Sequence, residues 1–185
     1  KVLVVESYPR WEYRYLRNAL ERDPGVLVHC LVFHPDLEGV GGGRGYLDQF
    51  PTEKELFEYD VVFLGDVGIG SEQLTPQDCV HLRQLVRSQA GGLVFMPGFR
   101  GYQNSLQTSE LDELLPVVFD PAAPKGHGSQ RPSRFALTEA GRRSLLTRLE
   151  PDDHENERVW NGLPGFQWYA AAQRAKIGSQ VLATH

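Results

Sequence analysis

The sequence predicts an α/β protein built on a mainly parallel sheet with helices on both faces. Short runs of aliphatic and β-branched residues recur along the chain, and such runs are typical of strands covered on both sides. Amphipathic segments with helix-capping residues separate these runs. Because parallel strands need a long crossover connection, strands that alternate with helices indicate a parallel sheet.

The first strand is expected at residues 2–5, where the chain is continuously apolar. A helix is expected to start at Pro9 and to run to about Arg22, before the helix-breaking Asp23-Pro24-Gly25. Its predicted buried face consists of Trp11, Tyr15, Leu16, Ala19 and Leu20. Its predicted water-facing residues are Arg10, Arg14, Arg17 and Glu21. The second strand is expected at residues 26–33.

Residues 35–51 are predicted to form a long loop with Gly41-Gly42-Gly43-Arg44-Gly45. No Lys-Ser/Thr pair follows these glycines, so a flexible loop is favoured over a phosphate cradle. Thr52 opens a short helix through a capping box, and residues 61–64 form the third strand. Thr75 and Pro76 start the next helix, whose predicted buried face consists of Cys79, Leu82, Leu85 and Val86.

Residues 91–101, GGLVFMPGFRG, form the stretch around which the predicted sheet is organised. The expected fourth strand, residues 93–96, is short, apolar and bounded by glycines and proline. It leads into the turn Gly98-Phe99-Arg100-Gly101. In many α/β enzymes such a turn presents the nucleophile, but here phenylalanine and arginine occupy the candidate positions.

The C-terminal part is predicted to extend this sheet at its edge. We expect a helix at 109–115, a loop at 120–134, a short strand at 135–137, a helix at 140–149, a charged loop at 151–160 and a last strand at 177–184. The strand order expected is 2-1-3-4-5, which gives a flavodoxin-like three-layer sandwich.

Composition bounds the class of protein. The chain of 185 residues is expected to form a single domain, 1–185, and its net charge of -5 argues against nucleic-acid binding. Cys30 and Cys79 form no CxxC or zinc-ligand pattern. No apolar run approaches the ~20 residues of a membrane span, so no direct membrane insertion is expected of this segment. Because the sequence starts and stops inside predicted strands, we expect a segment excised from a larger protein.

The carboxyl ends of the first, third and fourth strands should meet at one crevice, where ligands bind in sheets of this kind. Its candidate ligand-binding residues are Glu6, Ser7, Asp66, Gly68, Gly98, Phe99 and Arg100, with Trp11 at the rim. Two acids and an arginine could bind a metal, perform acid/base chemistry or neutralise one another, and the last is favoured. We therefore expect Arg100 to pair with Glu6 or Asp66, with no metal, no cofactor and no catalytic residue.

Two other chemistries fit the residues poorly. A phosphoacceptor receiver domain needs an acidic pair after the first strand, an aspartate after the third, Ser/Thr after the fourth and a late lysine, and only Asp66 matches. Nucleophilic catalysis by Cys30 or Cys79 is disfavoured because both lie at positions expected to be packed.

Several segments resemble bacterial class I glutamine amidotransferase-like domains of large membrane-anchored proteins, common in planctomycetes and often linked to von Willebrand factor A domains. These segments are VLVVES, PRWEYR at residues 9–14, YDVVFLGDV at residues 59–67 and GGL at residues 91–93. The resemblance implies the amidotransferase-like fold. Active members carry a Gly-x-Cys-x-Gly elbow and a late His-x-Glu, whereas this chain has Phe99-Arg100 at the elbow. His185 follows the last strand, as the family's histidine does, but has no nucleophile to serve.

The sequence therefore predicts a non-catalytic amidotransferase-like module for ligand binding or protein interaction in an envelope-associated protein. Its expected partners are other domains of the parent chain and a small polar ligand. The alternative is a hydrolase or transferase acting on a polar or carbohydrate substrate through Glu6, Asp66 and Arg100. A regulatory or purely structural role is a third possibility.

Overall fold

The computed structural model describes residues 1–34, 45–70 and 73–185, and these fall into two compact units, Lys1–Leu115 and Pro116–His185. Of the loop predicted at residues 35–51, residues 35–44, with most of its glycine run, lie outside the described residues. The first unit contains β1 (Val2–Glu6), α1 (Trp11–Glu21), β2 (Val28–Val32), α2 (Glu53–Leu56), β3 (Val61–Leu64), α3 (Pro76–Gln89) and β4 (Gly92–Phe95). Two 3₁₀ helices, Tyr102–Thr108 and Asp112–Leu114, follow β4.

The strands of the first unit form one all-parallel sheet in the order β2-β1-β3-β4. Val4 lies opposite Cys30 of β2 and Phe63 of β3, so β1 is an inner strand. Leu3, Val4 and Val5 are all fully buried. Because successive side chains of a strand point to opposite faces, both faces of β1 are covered. The mixed α/β class and the first four positions of the predicted strand order are confirmed.

The predicted starts of the two helices at Thr52 and Thr75 are also confirmed. Thr52 and Glu55 form a capping box at α2, because the Thr52 backbone N–H and hydroxyl both donate to the Glu55 carboxylate. Thr75 and Asp78 form a second one at α3, with Pro76 in the first helical position. The buried residues of α3 are Cys79, Leu82 and Leu85, at the spacing expected for one face of a helix.

The fourth strand is less buried than predicted. β4 lies at the edge of the sheet, and its Val94 is 36% exposed. The expected fifth strand, β5 (Val117–Phe119), pairs antiparallel with β9 (Ala172–Ala175) and does not continue the parallel sheet. Between β4 and β5 the described chain forms 3₁₀ turns, including in the region predicted as a helix at 109–115. This segment lacks the long crossover helix that would be needed to place β5 parallel to β4.

The predicted buried face of α1 is wrong for its aromatic residues. Trp11 and Tyr15 are 68% and 69% exposed, whereas Tyr13 is buried. Leu16 and Leu20 pack with Tyr13 against the core that contains Val4. Both sides of this helix are apolar in sequence, so periodicity alone could not tell which side meets the sheet.

The second unit, apart from β5 and β9, contains β6 (His127–Ser133), β7 (Ala136–Leu137), α4 (Glu139–Arg143), α5 (Asp153–Gly162), β8 (Phe166–Tyr169) and β10 (Ala183–Thr184). Its strands form three antiparallel pairs: β5 with β9, β6 with β8, and β7 with β10. The later strands therefore do not extend the edge of the parallel sheet.

Several predicted boundaries in this unit are wrong. The expected loop at 120–134 contains β6, which is almost entirely exposed and lacks the apolar alternation that marks a strand. The expected charged loop at 151–160 is α5, whose N-cap Asp152 accepts a hydrogen bond from the Glu155 backbone N–H. The expected helix at 140–149 ends at Arg143 before a 3₁₀ turn, and the last strand is limited to β10.

Replacing Val62 by aspartate should unfold the protein. Val62 lies fully buried in β3, between β1 and β4, and an unpaired buried carboxylate costs several kcal/mol against a total stability of about 5–15. Circular dichroism with urea titration measures the effect. Val94→Asp on the exposed edge of β4 is the matched control and should remain folded. A Val62→Asp variant with the wild-type unfolding midpoint would contradict the sheet order.

Candidate functional site

The carboxyl ends of β1 and β3 place two acidic side chains in the interior of the first unit. Glu6 is the last residue of β1 and is fully buried. Asp66 follows β3 by one residue, Gly65, and is also buried. Parallel strands end at the same edge of their sheet, which is why residues 60 positions apart meet here.

The Glu6 carboxylate accepts three hydrogen bonds. Its Oε1 accepts from the backbone N–H groups of Ser7 and Asp66, both at 2.9 Å. Its Oε2 accepts from Nε of Arg10 at 2.7 Å, in an ion pair whose arginine side chain is only 11% exposed. Glu6 therefore joins the ends of β1 and β3 through their main chains.

Arg10 extends this link to β4. Its two terminal nitrogens donate to the carbonyl oxygens of Pro97, at 3.0 Å, and Met96, at 2.6 Å. One guanidinium thus donates to a buried carboxylate and to two carbonyls just beyond β4. Arginine suits this role because its planar guanidinium carries several N–H donors in fixed directions. We call Glu6, Arg10 and the carbonyls of Met96 and Pro97 the Arg10 clamp.

The expected role of Arg100 belongs to Arg10. The helical pattern predicts Arg10 in water, and the strand ends predict Arg100 between the two acids. Instead, the Arg100 side chain is exposed and its guanidinium lies 4.9 Å from the centroid of the Tyr8 ring. Among the described residues, it forms no ion pair with Glu6 or Asp66. Arg10 forms these contacts because it lies four residues from Glu6, at the N-cap of α1. From that position its side chain reaches back across the strand ends.

Asp66 holds the turn after β4. Its Oδ2 accepts from the backbone N–H groups of Arg100, at 2.9 Å, and Gly101, at 3.3 Å. Its Oδ1 accepts from the N–H of Tyr102 at 2.8 Å. These N–H groups surround the start of the 3₁₀ helix, where main-chain donors lack helical partners. The aspartate thus contacts the backbone of Arg100, not its guanidinium.

Two glycines are required by the close approach of these carboxylates. A Cβ at Gly65 would overlap the Glu6 carboxylate, and one at Gly98 would lie 2.6 Å from Oδ2 of Asp66. Glycine at the turn after β4 therefore admits a buried acid. A nucleophile elbow is not needed to explain why glycine occurs at this turn.

The remaining predicted site residues are placed as follows. Ser7 is buried, and its hydroxyl has no hydrogen-bond partner among the described residues. The backbone N–H of Gly68 donates to Oε1 of Gln73 at 2.8 Å. Phe99, 57% exposed, and Trp11 do not join the buried cluster. The structure thus brings together Glu6, Ser7, Asp66, Gly98 and the backbone of Arg100.

Sequence reasoning missed two participants, the partly buried Arg10 and the buried Gln103. The Gln103 amide donates to the carbonyls of Leu64, at 2.8 Å, and Gly65. The signal for Arg10 was present, because an acid and an arginine four residues apart flank the turn at Pro9. Gln103 had no such signal, since it lies 38 residues from its partner Gly65.

The arrangement stabilises the strand ends and leaves little capacity for acid/base chemistry. Burial raises the pKa of Glu6, and Arg10 opposes that shift. Both carboxylates are buried and accept three hydrogen bonds from the protein itself, so neither presents a free oxygen to a substrate. Burial also raises the pKa of the Cys30 and Cys79 thiols, which disfavours a reactive thiolate. The described residues contain no group of three or more His, Cys, Asp and Glu side chains able to hold a metal.

Removing Arg10 should cost far more stability than removing Arg100. Arg10→Met leaves a buried carboxylate and two carbonyls without their donor, and breaking such a buried pair costs about 3–5 kcal/mol. Arg100→Met, the matched control, removes an exposed side chain and should cost at most about 1 kcal/mol. Urea unfolding of both variants measures the difference. Equal decreases in the free energy of unfolding for both variants would show that the Arg10 clamp contributes no more stability than an exposed arginine.

The ionisation of Glu6 should make stability fall as pH rises. A folded-state pKa above the ordinary 4.5 means that the folded protein holds this proton more tightly than the unfolded chain. The contribution is therefore fully present below 4.5 and lost as pH rises through the folded pKa. We expect the stability of wild type relative to Glu6→Gln, measured in urea titrations, to decline as the pH rises above the ordinary 4.5 and through the folded-state pKa. A rising difference would mean that Arg10 outweighs burial.

Comparison of the chain with protein-family models, with curated proteins and with solved structures found no match. Among the described residues, no helix combines the length and apolar character needed to cross a membrane.

Proposed function

We propose that this chain is a non-catalytic module of the class I glutamine amidotransferase-like type, with a flavodoxin-like three-layer architecture. It serves ligand binding or protein interaction within a larger, envelope-associated bacterial protein. The parallel order β2-β1-β3-β4 is compatible with that architecture. The segments VLVVES, PRWEYR and YDVVFLGDV supply the resemblance on which the family assignment depends.

The observation that carries the proposal is that the two acids at the strand ends bind the protein's own main chain. The carboxylate oxygens of Glu6 and Asp66 accept hydrogen bonds from five backbone N–H groups and one arginine side chain. A carboxylate committed in this way fixes main-chain geometry and is a poor general base. The turn after β4 presents Phe99 and Arg100 where an active amidotransferase presents cysteine. These contacts support binding over turnover.

The surface around this edge has the side chains of a binding site. Tyr8, Phe99 and Tyr102 are exposed aromatic residues, and Arg100 stacks on Tyr8. A guanidinium over an aromatic ring keeps its edge donors available to a ligand. A small polar ligand with a carbonyl or carboxylate group suits this chemistry. Other domains of the parent chain are the proposed macromolecular partners.

The alternative is a hydrolase or transferase that uses Glu6, Asp66 and Arg100 on a polar or carbohydrate substrate. The raised pKa of Glu6 is the observation in its favour, because a protonated carboxyl can act as a general acid. Complete burial of Glu6 and the exposure of Arg100 away from both acids weigh against it. We therefore rank binding first.

Two measurements test the proposal. Incubation with glutamine should yield no ammonia above a buffer blank, because the protein presents no activated thiol. Under native conditions Cys30 and Cys79 should resist a thiol reagent, since both are buried and burial raises their pKa values. The same protein in denaturant is the control and should label at both positions. Turnover that disappears in Cys30→Ser or Cys79→Ser would overturn the proposal.

A further inference from the structure

Helix α1 carries apolar side chains on two sides, and only one side is covered. Tyr13, Leu16 and Leu20 pack inward with Val4, Val28 and Cys30. On the opposite side, Trp11 and Tyr15 expose about two thirds of their surface, at 68% and 69%. Two large aromatic residues this exposed on one helix face are unusual, because such residues dominate the burial of protein cores and interfaces.

The exposed residues of this side recur at helical spacing. We define the outer face of α1 as Trp11, Arg14, Tyr15, Asn18, Ala19 and Arg22, the last being the residue that ends the helix. Their separations of three and four residues align them along one stripe. An 11-residue helix spans about 16 Å, so the outer face is a narrow strip along its length.

The aromatic part of this strip is ordered before any partner arrives. The rings of Trp11 and Tyr15 stack with centroids 6.0 Å apart and an interplanar angle of 29°. The Arg14 guanidinium lies 5.4 Å from the centroid of the Trp11 ring. Contacts among these three side chains restrict their rotamers in the free protein, which lowers the entropy lost on binding. Trp, Tyr and Arg are also the residue types most enriched at the energetic centres of protein interfaces.

The charge of the outer face differs from that of the chain. Arg14 and Arg22 form no ion pair among the described residues. Of the two acids in α1, Glu21 is paired with Arg17 at 2.8 Å, and Glu12, two residues from Arg14, is exposed, so the arginines of this helix segment outnumber its acids. The chain as a whole carries a net charge of -5. A locally basic strip on an acidic protein selects for a partner with carboxylates, since complementary potentials decide which surfaces associate.

We propose that the outer face of α1 docks an acidic, amphipathic helical segment of a partner polypeptide. Its apolar side covers Trp11, Tyr15 and Ala19, and its carboxylates meet Arg14 and Arg22. The inference deepens the protein-interaction part of the proposed function and depends on it. The narrow strip buries less area than a standard protein interface, so the contact suits a partner tethered in the same parent protein, whose effective concentration is high.

A pair of synthetic peptides tests the docking. One is a fluorescein-labelled amphipathic helix with leucines along one face and glutamates flanking them, and the other carries lysines in place of the glutamates. Fluorescence anisotropy against the whole protein at low salt should show the glutamate peptide binding about tenfold more tightly or better. Added salt should weaken it. Trp11→Ala and Arg14→Glu should each weaken it by about tenfold or more.

Leu146→Ala is the control, because it removes an exposed apolar side chain of the second unit, outside α1, and should leave the peptide affinity unchanged. Circular dichroism should show wild-type helix content in every variant, since the replaced side chains lie in water. Equal affinity for both peptides, no binding of either, or binding unchanged by Trp11→Ala would overturn the inference. Self-association lost in Trp11→Ala, or binding to anionic vesicles but not to the glutamate peptide, would also overturn it by assigning the face to another occupant. Glutamine turnover would overturn the proposed function and leave the peptide result standing, so the two fail separately.

Discussion

The first unit depends on the ion pair between Glu6 and Arg10. A carboxylate at the end of an inner strand loses its hydration on folding, and that loss is tolerated only with a full set of hydrogen-bond partners. Glu6 obtains them from the backbone of Ser7 and Asp66 and from Arg10. Arg10 in turn holds the carbonyls of Met96 and Pro97, so the ends of β1, β3 and β4 are joined through one buried pair.

The same constraint explains the local sequence and limits the chemistry. Gly65 is small because the Glu6 carboxylate occupies the space of a side chain, and Gly98 is small because Asp66 does. The turn after β4 is pinned by Asp66 through its main chain, which leaves the side chains of Phe99 and Arg100 in water. The hydrogen bonds of Glu6 and Asp66 therefore fix the main-chain conformation at the strand ends. We therefore propose that the surrounding exposed side chains, and not the buried acids, contact a ligand or partner.

Arg10 also connects the ends of β1, β3 and β4 to helix α1. It is the N-cap of α1, so the contacts that anchor its guanidinium fix where the helix begins. The helix then turns Tyr13 towards the core and Trp11 and Tyr15 outwards. The exposed aromatic stripe is thus held on a helix anchored at its first residue, and side chains on rigid elements make better binding surfaces than side chains on loops.

The sequence by itself determined the strands of the parallel sheet, the capped starts of α2 and α3, and the two acids at the strand ends, because apolar runs and capping residues act over a few neighbouring positions. It did not determine which arginine lies between the strand ends, since Arg10 and Arg100 are both near the crevice and only the folded backbone shows which guanidinium reaches Glu6. Nor did it determine which apolar side of α1 is buried, or that β5 pairs with β9. Tertiary structure decided these points. Arg10 is close to Glu6 in sequence, but the carbonyls that also hold its guanidinium lie 86 and 87 residues away, and β5 and β9 are likewise distant in sequence.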